Sequence, residues 1–131
     1  MPDNQCRLVQ ANFEQGVLIL KILDKAVRDY EQCLSLRREF EDAYTQAPVR
    51  DVVCDFSAVE FMASCGFLPL LNLRRRVSDA GGQILLCNLS KDVRGMFQAT
   101  RLLINSKSHV GLFEEHANVP EALAYLKSAR H

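Results

Sequence analysis

The residues with chemical potential gather in one stretch. Asp51–Gly66 reads Asp-Val-Val-Cys-Asp-Phe-Ser-Ala-Val-Glu-Phe-Met-Ala-Ser-Cys-Gly. It holds a carboxylate at a strand end (Asp55), a hydroxyl (Ser64) and a thiol (Cys65). A receiver-type aspartyl phosphoacceptor needs several carboxylates around a divalent cation. Asp24 is the only other carboxylate at an early strand end, so Asp55 reads better as an acceptor for backbone N–H groups in the turn that follows it. A serine or cysteine hydrolase needs a base beside its nucleophile. His109 and His116 fall at and after the last expected strand, and His131 ends the chain, so none is placed near Ser64. A cysteine-phosphatase loop needs an arginine where this chain has Leu71. Cys65 near a helix start has a route to a lowered pKa, but a small side chain chosen to fit the turn explains it more simply.

Phosphate loops are excluded too. No Gly-x-x-x-x-Gly-Lys-Ser/Thr run occurs, and Gly81-Gly82 precedes a strand without the partner glycines of a dinucleotide site. What remains is Ser64 as a recipient of chemistry performed by another protein. The small residues Ala63-Ser64-Cys65-Gly66 place its hydroxyl near a helix N-terminus. Free N–H groups and the positive dipole end favour an anion there. Phosphorylation adds nearly two negative charges and three strong acceptors. A serine that only caps the helix fits the same spacing equally well.

The elements that position this stretch alternate. Cys6–Phe13 and Val17–Leu23 read as a hairpin around Glu14-Gln15-Gly16. A helix is expected over Asp24–Gln46, with Val27, Tyr30, Leu34, Phe40, Ala43 and Tyr44 on its apolar face and its charge run solvated. The strand Val49–Phe56 leads to the Ser64 turn, and Phe67–Val77 forms a second helix stopped by Ala80-Gly81-Gly82. Gln83–Leu89 is a strand buried on both faces. Ser90 caps a third helix that runs from Val93 to Ile104, His109–Phe113 is the last strand, and Asn118 caps a final helix. The order β-β-α-β-α-β-α-β-α implies an α/β fold: a mainly parallel sheet of four to five strands, an antiparallel N-terminal edge hairpin and about four helices.

Composition narrows the function class. The chain has 131 residues, which suits one domain over 1–131. Lys+Arg and Asp+Glu balance at 16 each, so bulk charge gives no reason to bind nucleic acid. No apolar run approaches the roughly 20 residues of a membrane span, and the opening residues Met-Pro-Asp-Asn-Gln give no reason to expect a signal peptide. The five cysteines form no Cys-x-x-Cys pair, which argues against a disulfide framework or a zinc site. Cys54 and Cys87 sit within apolar strands and read as small buried hydrophobes. Free thiols fit a reducing cytoplasm. Neither a metal nor a cofactor is expected.

Over nearly its whole length, and best from Val52 to Gly82, the chain resembles a STAS domain of the anti-sigma factor antagonist kind. Val52-Val53-Cys54-Asp55-Phe56-Ser57 is similar to that family's third strand. Ala63-Ser64-Cys65-Gly66-Phe67 stands where the family has Asp-Ser-Ser-Gly-Leu. Leu23-Asp24, Gly81-Gly82, Asn88-Leu89-Ser90 and Glu121-Ala122-Leu123 match as well. The resemblance implies a non-enzymatic partner-switching protein. It implies phosphorylation at Ser64 by a serine kinase that doubles as the anti-sigma factor, and reversal by a phosphatase. The expected docking surface is Met62, Ala63, Ser64, Cys65, Gly66, Phe67 and Leu68, with Asp24 and Ser90 beside it. The alternative is a STAS-like scaffold or small-ligand-binding module with no phosphorylation cycle. The chain departs from the family pattern at Ala63, Cys65 and Pro69. Pro69 cannot donate to the Cys65 carbonyl, so the helix is expected to start a residue or two after Ser64, or with a distorted first turn.

Overall fold

The computed structural model describes residues 8–46, 49–99 and 113–129. Strand β1 (Val9–Glu14) turns through Gln15-Gly16 into β2 (Val17–Ile22). Both turn residues have positive φ, 54° and 78°, which a two-residue hairpin needs if its twist is to match the strands. The pairing is antiparallel, with Glu14 opposite Val17 and Val9 opposite Ile22. Then come β3 (Ala26–Val27), α1 (Tyr30–Gln46), β4 (Asp51–Asp55) and β5 (Phe61–Met62). A 3-10 turn over Ser64–Gly66 runs into α2 (Phe67–Asp79). The chain continues through β6 (Ile84–Cys87), α3 (Lys91–Ala99), β7 (Glu114–His116) and α4 (Val119–Ala129).

The main sheet has five strands in the order β1-β2-β4-β6-β7, and only the β1–β2 pair is antiparallel. Residues alternate between its two faces. Leu18, Leu20, Ile22, Val52, Cys54 and Leu86 meet Leu36, Phe40, Leu70, Leu73 and Phe97 of the first three helices. Val17, Ile19, Val53, Leu85 and Cys87 meet Ala122, Leu123 and Leu126 of α4. Covered on both sides, the central strands carry near-continuous apolar runs, as the sequence indicated.

Several boundaries depart from expectation. The first helix starts at Tyr30 rather than Asp24. Asp29 caps it, accepting the Gln32 N–H on Oδ1 at 2.8 Å. The Gln32 side chain reaches back to accept the Arg28 N–H, also at 2.8 Å. Asp followed three residues later by Gln is the sequence signature of a capped start. Upstream of it, Ala26 and Val27 pair with Phe61 and Met62 in a small parallel ribbon that periodicity alone did not suggest. The helix also faces the core through Cys33, Leu36 and Phe40, while Tyr30 and Leu34 are exposed. The last described strand lies at Glu114–His116, after a bridge residue at Phe113, and Phe113 is the one residue of the expected strand His109–Phe113 that is described. Residues 109–112, the part of the third helix expected over 100–104, and the strand start at Cys6 lie outside the described residues.

Candidate functional site

The Ser64 turn is built by its neighbours. The Ala63 N–H donates to the Val27 carbonyl at 2.7 Å, and the Gly66 N–H closes the turn on the Ala63 carbonyl at 2.9 Å. Gly66 is required by close packing. A Cβ there would lie 2.5 Å from Met62 Cγ and 3.2 Å from Val27 Cγ1. Ala63 is extended (φ −73°, ψ 164°) and occupies the cap position of the turn, with no side-chain oxygen to offer. Ser64 therefore lies inside the turn, exposed, rather than serving as its cap. The helix proper begins at Phe67, which puts Pro69 in the first turn, where its missing N–H costs nothing.

Of the expected surface residues, Met62, Gly66 and Phe67 are buried, while Ala63 and Cys65 are half-buried. Leu68 is 59% exposed, and Phe61, one residue before the expected surface, is 42% exposed. The Arg28 guanidinium lies 5.5 Å from the Phe61 ring centre, near enough for a cation–π contact. Two residues of β5, Met62 in and Phe61 out, are too few to leave a sequence signal for this second apolar group.

Asp24 is half-buried, and its Oδ2 accepts from Gln32 Nε2 at 2.8 Å. Its neighbour Lys25 receives the Glu60 and Phe61 N–H groups on its carbonyl at 2.7 and 3.1 Å, which sets Asp24 beside the approach to β5. Ser90 caps α3: its Oγ accepts the Val93 N–H at 3.1 Å. Asn118 caps α4 in the same way, at 2.9 Å to the Glu121 N–H. Asp55 Oδ1 accepts the Ser57 N–H at 2.9 Å and Asn88 Nδ2 at 3.0 Å, so its carboxylate is occupied in holding the turn after β4.

His116 bonds Glu114 through Nε2 at 2.8 Å and packs on Tyr125 with ring centres 4.7 Å apart. Among the described residues no group of three or more His, Cys, Asp or Glu could hold a metal ion. No described helix is long and apolar enough to cross a membrane. Burial pushes the Cys87 thiol up to about 12 and raises Cys54 as well.

A family model for the STAS domain matches residues 9–116. The fold is similar to solved anti-sigma factor antagonists. The unphosphorylated form of the anti-sigma factor antagonist SpoIIAA is 22% identical, covers 92% of this chain and 96% of its own, and gives a TM-score of 0.73. The phosphorylated form of SpoIIAA, from Bacillus, is 21% identical over 90% of this chain and 98% of its own, with a TM-score of 0.63. An anti-sigma factor antagonist from Mycobacterium paratuberculosis is 18% identical over 91% and 92% of the two chains, with a TM-score of 0.73. The five-stranded mixed sheet flanked by helices and the match over 9–116 together make this chain a member of the STAS domain family.

Proposed function

We propose that the chain is an anti-sigma factor antagonist that works by partner switching at Ser64. With Ser64 unmodified it binds an anti-sigma factor that is also a serine kinase. Phosphorylation of Ser64 dissolves the complex, and a phosphatase resets it. The chain acts by binding rather than catalysis.

The observation that carries this reading is the placement of Ser64. Its hydroxyl lies on an exposed turn, free of any capping duty, and the exposed apolar residues Phe61 and Leu68 flank it in the chain. The turn leads into the N-terminus of α2, whose positive dipole end tolerates a phosphate. The fold therefore survives modification. A partner packed over Phe61 and Leu68 does not, because the dianion has to be stripped of water against apolar surface. A cost of about 3 kcal/mol weakens binding roughly a hundredfold, enough to exchange one partner for another. STAS family membership and the likeness to a protein solved in both phosphorylation states support the reading.

Calorimetric titration against anti-sigma factor kinases of the same genome tests it. Ser64→Ala should bind one of them as the parent chain does, and Ser64→Asp should bind it about a hundredfold more weakly. Equal affinity of Ser64→Asp and the parent chain would sink the proposal.

A further inference from the structure

Two thiols meet where α1 crosses the Ser64 turn. The Cys33 thiol donates to Cys65 Sγ across 2.9 Å. The residues lie 32 positions apart, so the fold alone brings them together. Cys33 is buried on the core face of α1, and Cys65 is half-buried in the turn, its thiol also directed at the Arg28 carbonyl at 3.9 Å. The other two described thiols are arranged differently. Cys54 and Cys87 are fully buried in adjacent strands, and the Cys87 thiol points to the Cys54 carbonyl at 3.7 Å. Only the Cys33–Cys65 pair combines sulfur–sulfur contact, separate elements and a solvent-reachable member among the described residues.

We propose that Cys33 and Cys65 are a modification site: a hydroperoxide oxidises them to an intramolecular disulfide that fastens the Ser64 turn to α1. Cys65 is the attacking thiol, because it is the more exposed of the two. Its thiolate sulfur takes one peroxide oxygen as the O–O bond breaks. Cys65 becomes a sulfenic acid, and the released hydroxide leaves as water after taking a proton from solvent. The Cys33 sulfur then displaces the sulfenic oxygen, which leaves as a second water with the Cys33 proton. In sum, two thiols and one hydrogen peroxide give one disulfide and two waters, and two electrons pass from sulfur to peroxide. Burial, with the hydrogen bond to Cys65, pushes the Cys33 thiol up to about 12. Cys33 therefore rests as a thiol and resolves rather than attacks. Closing the bond brings the sulfurs to about 2.05 Å, a sub-ångström adjustment at each side chain.

The pair bears on Ser64, which is adjacent to Cys65 in the chain. A kinase has to seat the serine hydroxyl in its own active site, and a disulfide to α1 leaves the turn less freedom to adapt to that site. This consequence rests on the partner-switching reading; the oxidation itself does not.

The test uses the whole chain, a slight excess of hydrogen peroxide, alkylation of remaining thiols and non-reducing peptide mapping. The expected product is a Cys33–Cys65 cross-linked peptide pair, with intact mass lower by two hydrogens and restored by dithiothreitol. Cys33→Ala should stop Cys65 at the sulfenic or sulfinic stage, and Cys65→Ser, at a half-buried position, should leave Cys33 unoxidised. The proposal is overturned if both thiols alkylate fully after peroxide, or if either is found joined to Cys6 or to a second chain instead. Mapping needs no kinase, so it separates this proposal from the fate of the Ser64 cycle.

Discussion

Phe67 and Leu68, consecutive residues at the start of α2, face opposite ways. The Phe67 ring packs edge-on against Phe97 with centroids 4.9 Å apart and planes at 74°, and only 5% of the residue is exposed. Leu68 is 59% exposed. One holds the turn to α3, and the other is offered to solvent. Phe67→Ala should cost about 3–5 kcal/mol in denaturant unfolding, because it removes a ring from a cluster of four phenylalanines, Phe56, Phe67, Phe97 and Phe113. Leu68→Ala should stay within about 0.5 kcal/mol of the parent chain. It should nevertheless weaken the kinase complex at least tenfold, roughly 1.4 kcal/mol, measured by calorimetry. A Leu68→Ala that destabilises as much as Phe67→Ala would refute the division of labour.

Two glycines are fixed by what stands against them, and they should respond unequally. A Cβ on Gly82 would lie 1.7 Å from the Arg50 carbonyl oxygen, which is backbone and cannot step aside cheaply. A Cβ on Gly66 would meet the Met62 side chain, which is buried but flexible. Gly66→Ala should therefore cost about 1–3 kcal/mol by overpacking, and Gly82→Ala should cost more. Gly95, in α3 with nothing near its would-be Cβ, should gain up to about 1 kcal/mol on replacement by Ala. Thermal melts of the three variants give the order directly, and a Gly82→Ala as stable as the parent would contradict it.

Alkaline stability follows from the buried thiols. The folded chain holds Cys33 and Cys87 up to about 12 and raises Cys54 too, chiefly by burial, against an ordinary value of 9.0. Unfolded thiols ionise as pH passes 9.0, while the folded ones keep their protons. Between 9.0 and about 12 the unfolded state binds fewer protons, so this contribution is fully present below the unfolded pKa and is lost as pH rises through the window. At pH 10 the loss is on the order of 1 kcal/mol for each such thiol. Urea midpoints at pH 8 and pH 10 should differ accordingly, and Cys87→Ala should show a shallower pH slope. An unchanged slope in that variant would refute the assignment.

The central strands β2, β4 and β6 were legible in the sequence because they are buried on both faces and read as near-continuous apolar runs, such as Ile84–Cys87. The caps at Ser90 and Asn118 were legible because side-chain capping is local. The turn at Ser64 was legible as a turn, and Pro69 correctly pointed to a late helix start. What failed was long-range. The ribbon of Ala26–Val27 with Phe61–Met62 is too short to leave a periodic pattern and exists only through its partner. Glu39 looked like part of a solvated charge run. Its carboxylate instead receives the Leu8 and Val9 N–H groups at 2.9–3.0 Å, tying β1 to α1 across some thirty residues of chain. Cys33 was passed over for the same reason: only the fold brings it to Cys65.

The central claim is that Ser64 is the switch, and intact mass spectrometry reads it most directly. The chain is incubated with ATP and each anti-sigma factor kinase of the same genome. A single added phosphate is expected with one of them, absent in Ser64→Ala and retained in Leu68→Ala under saturating kinase. No addition with any of the kinases, or the same addition in Ser64→Ala, would contradict it.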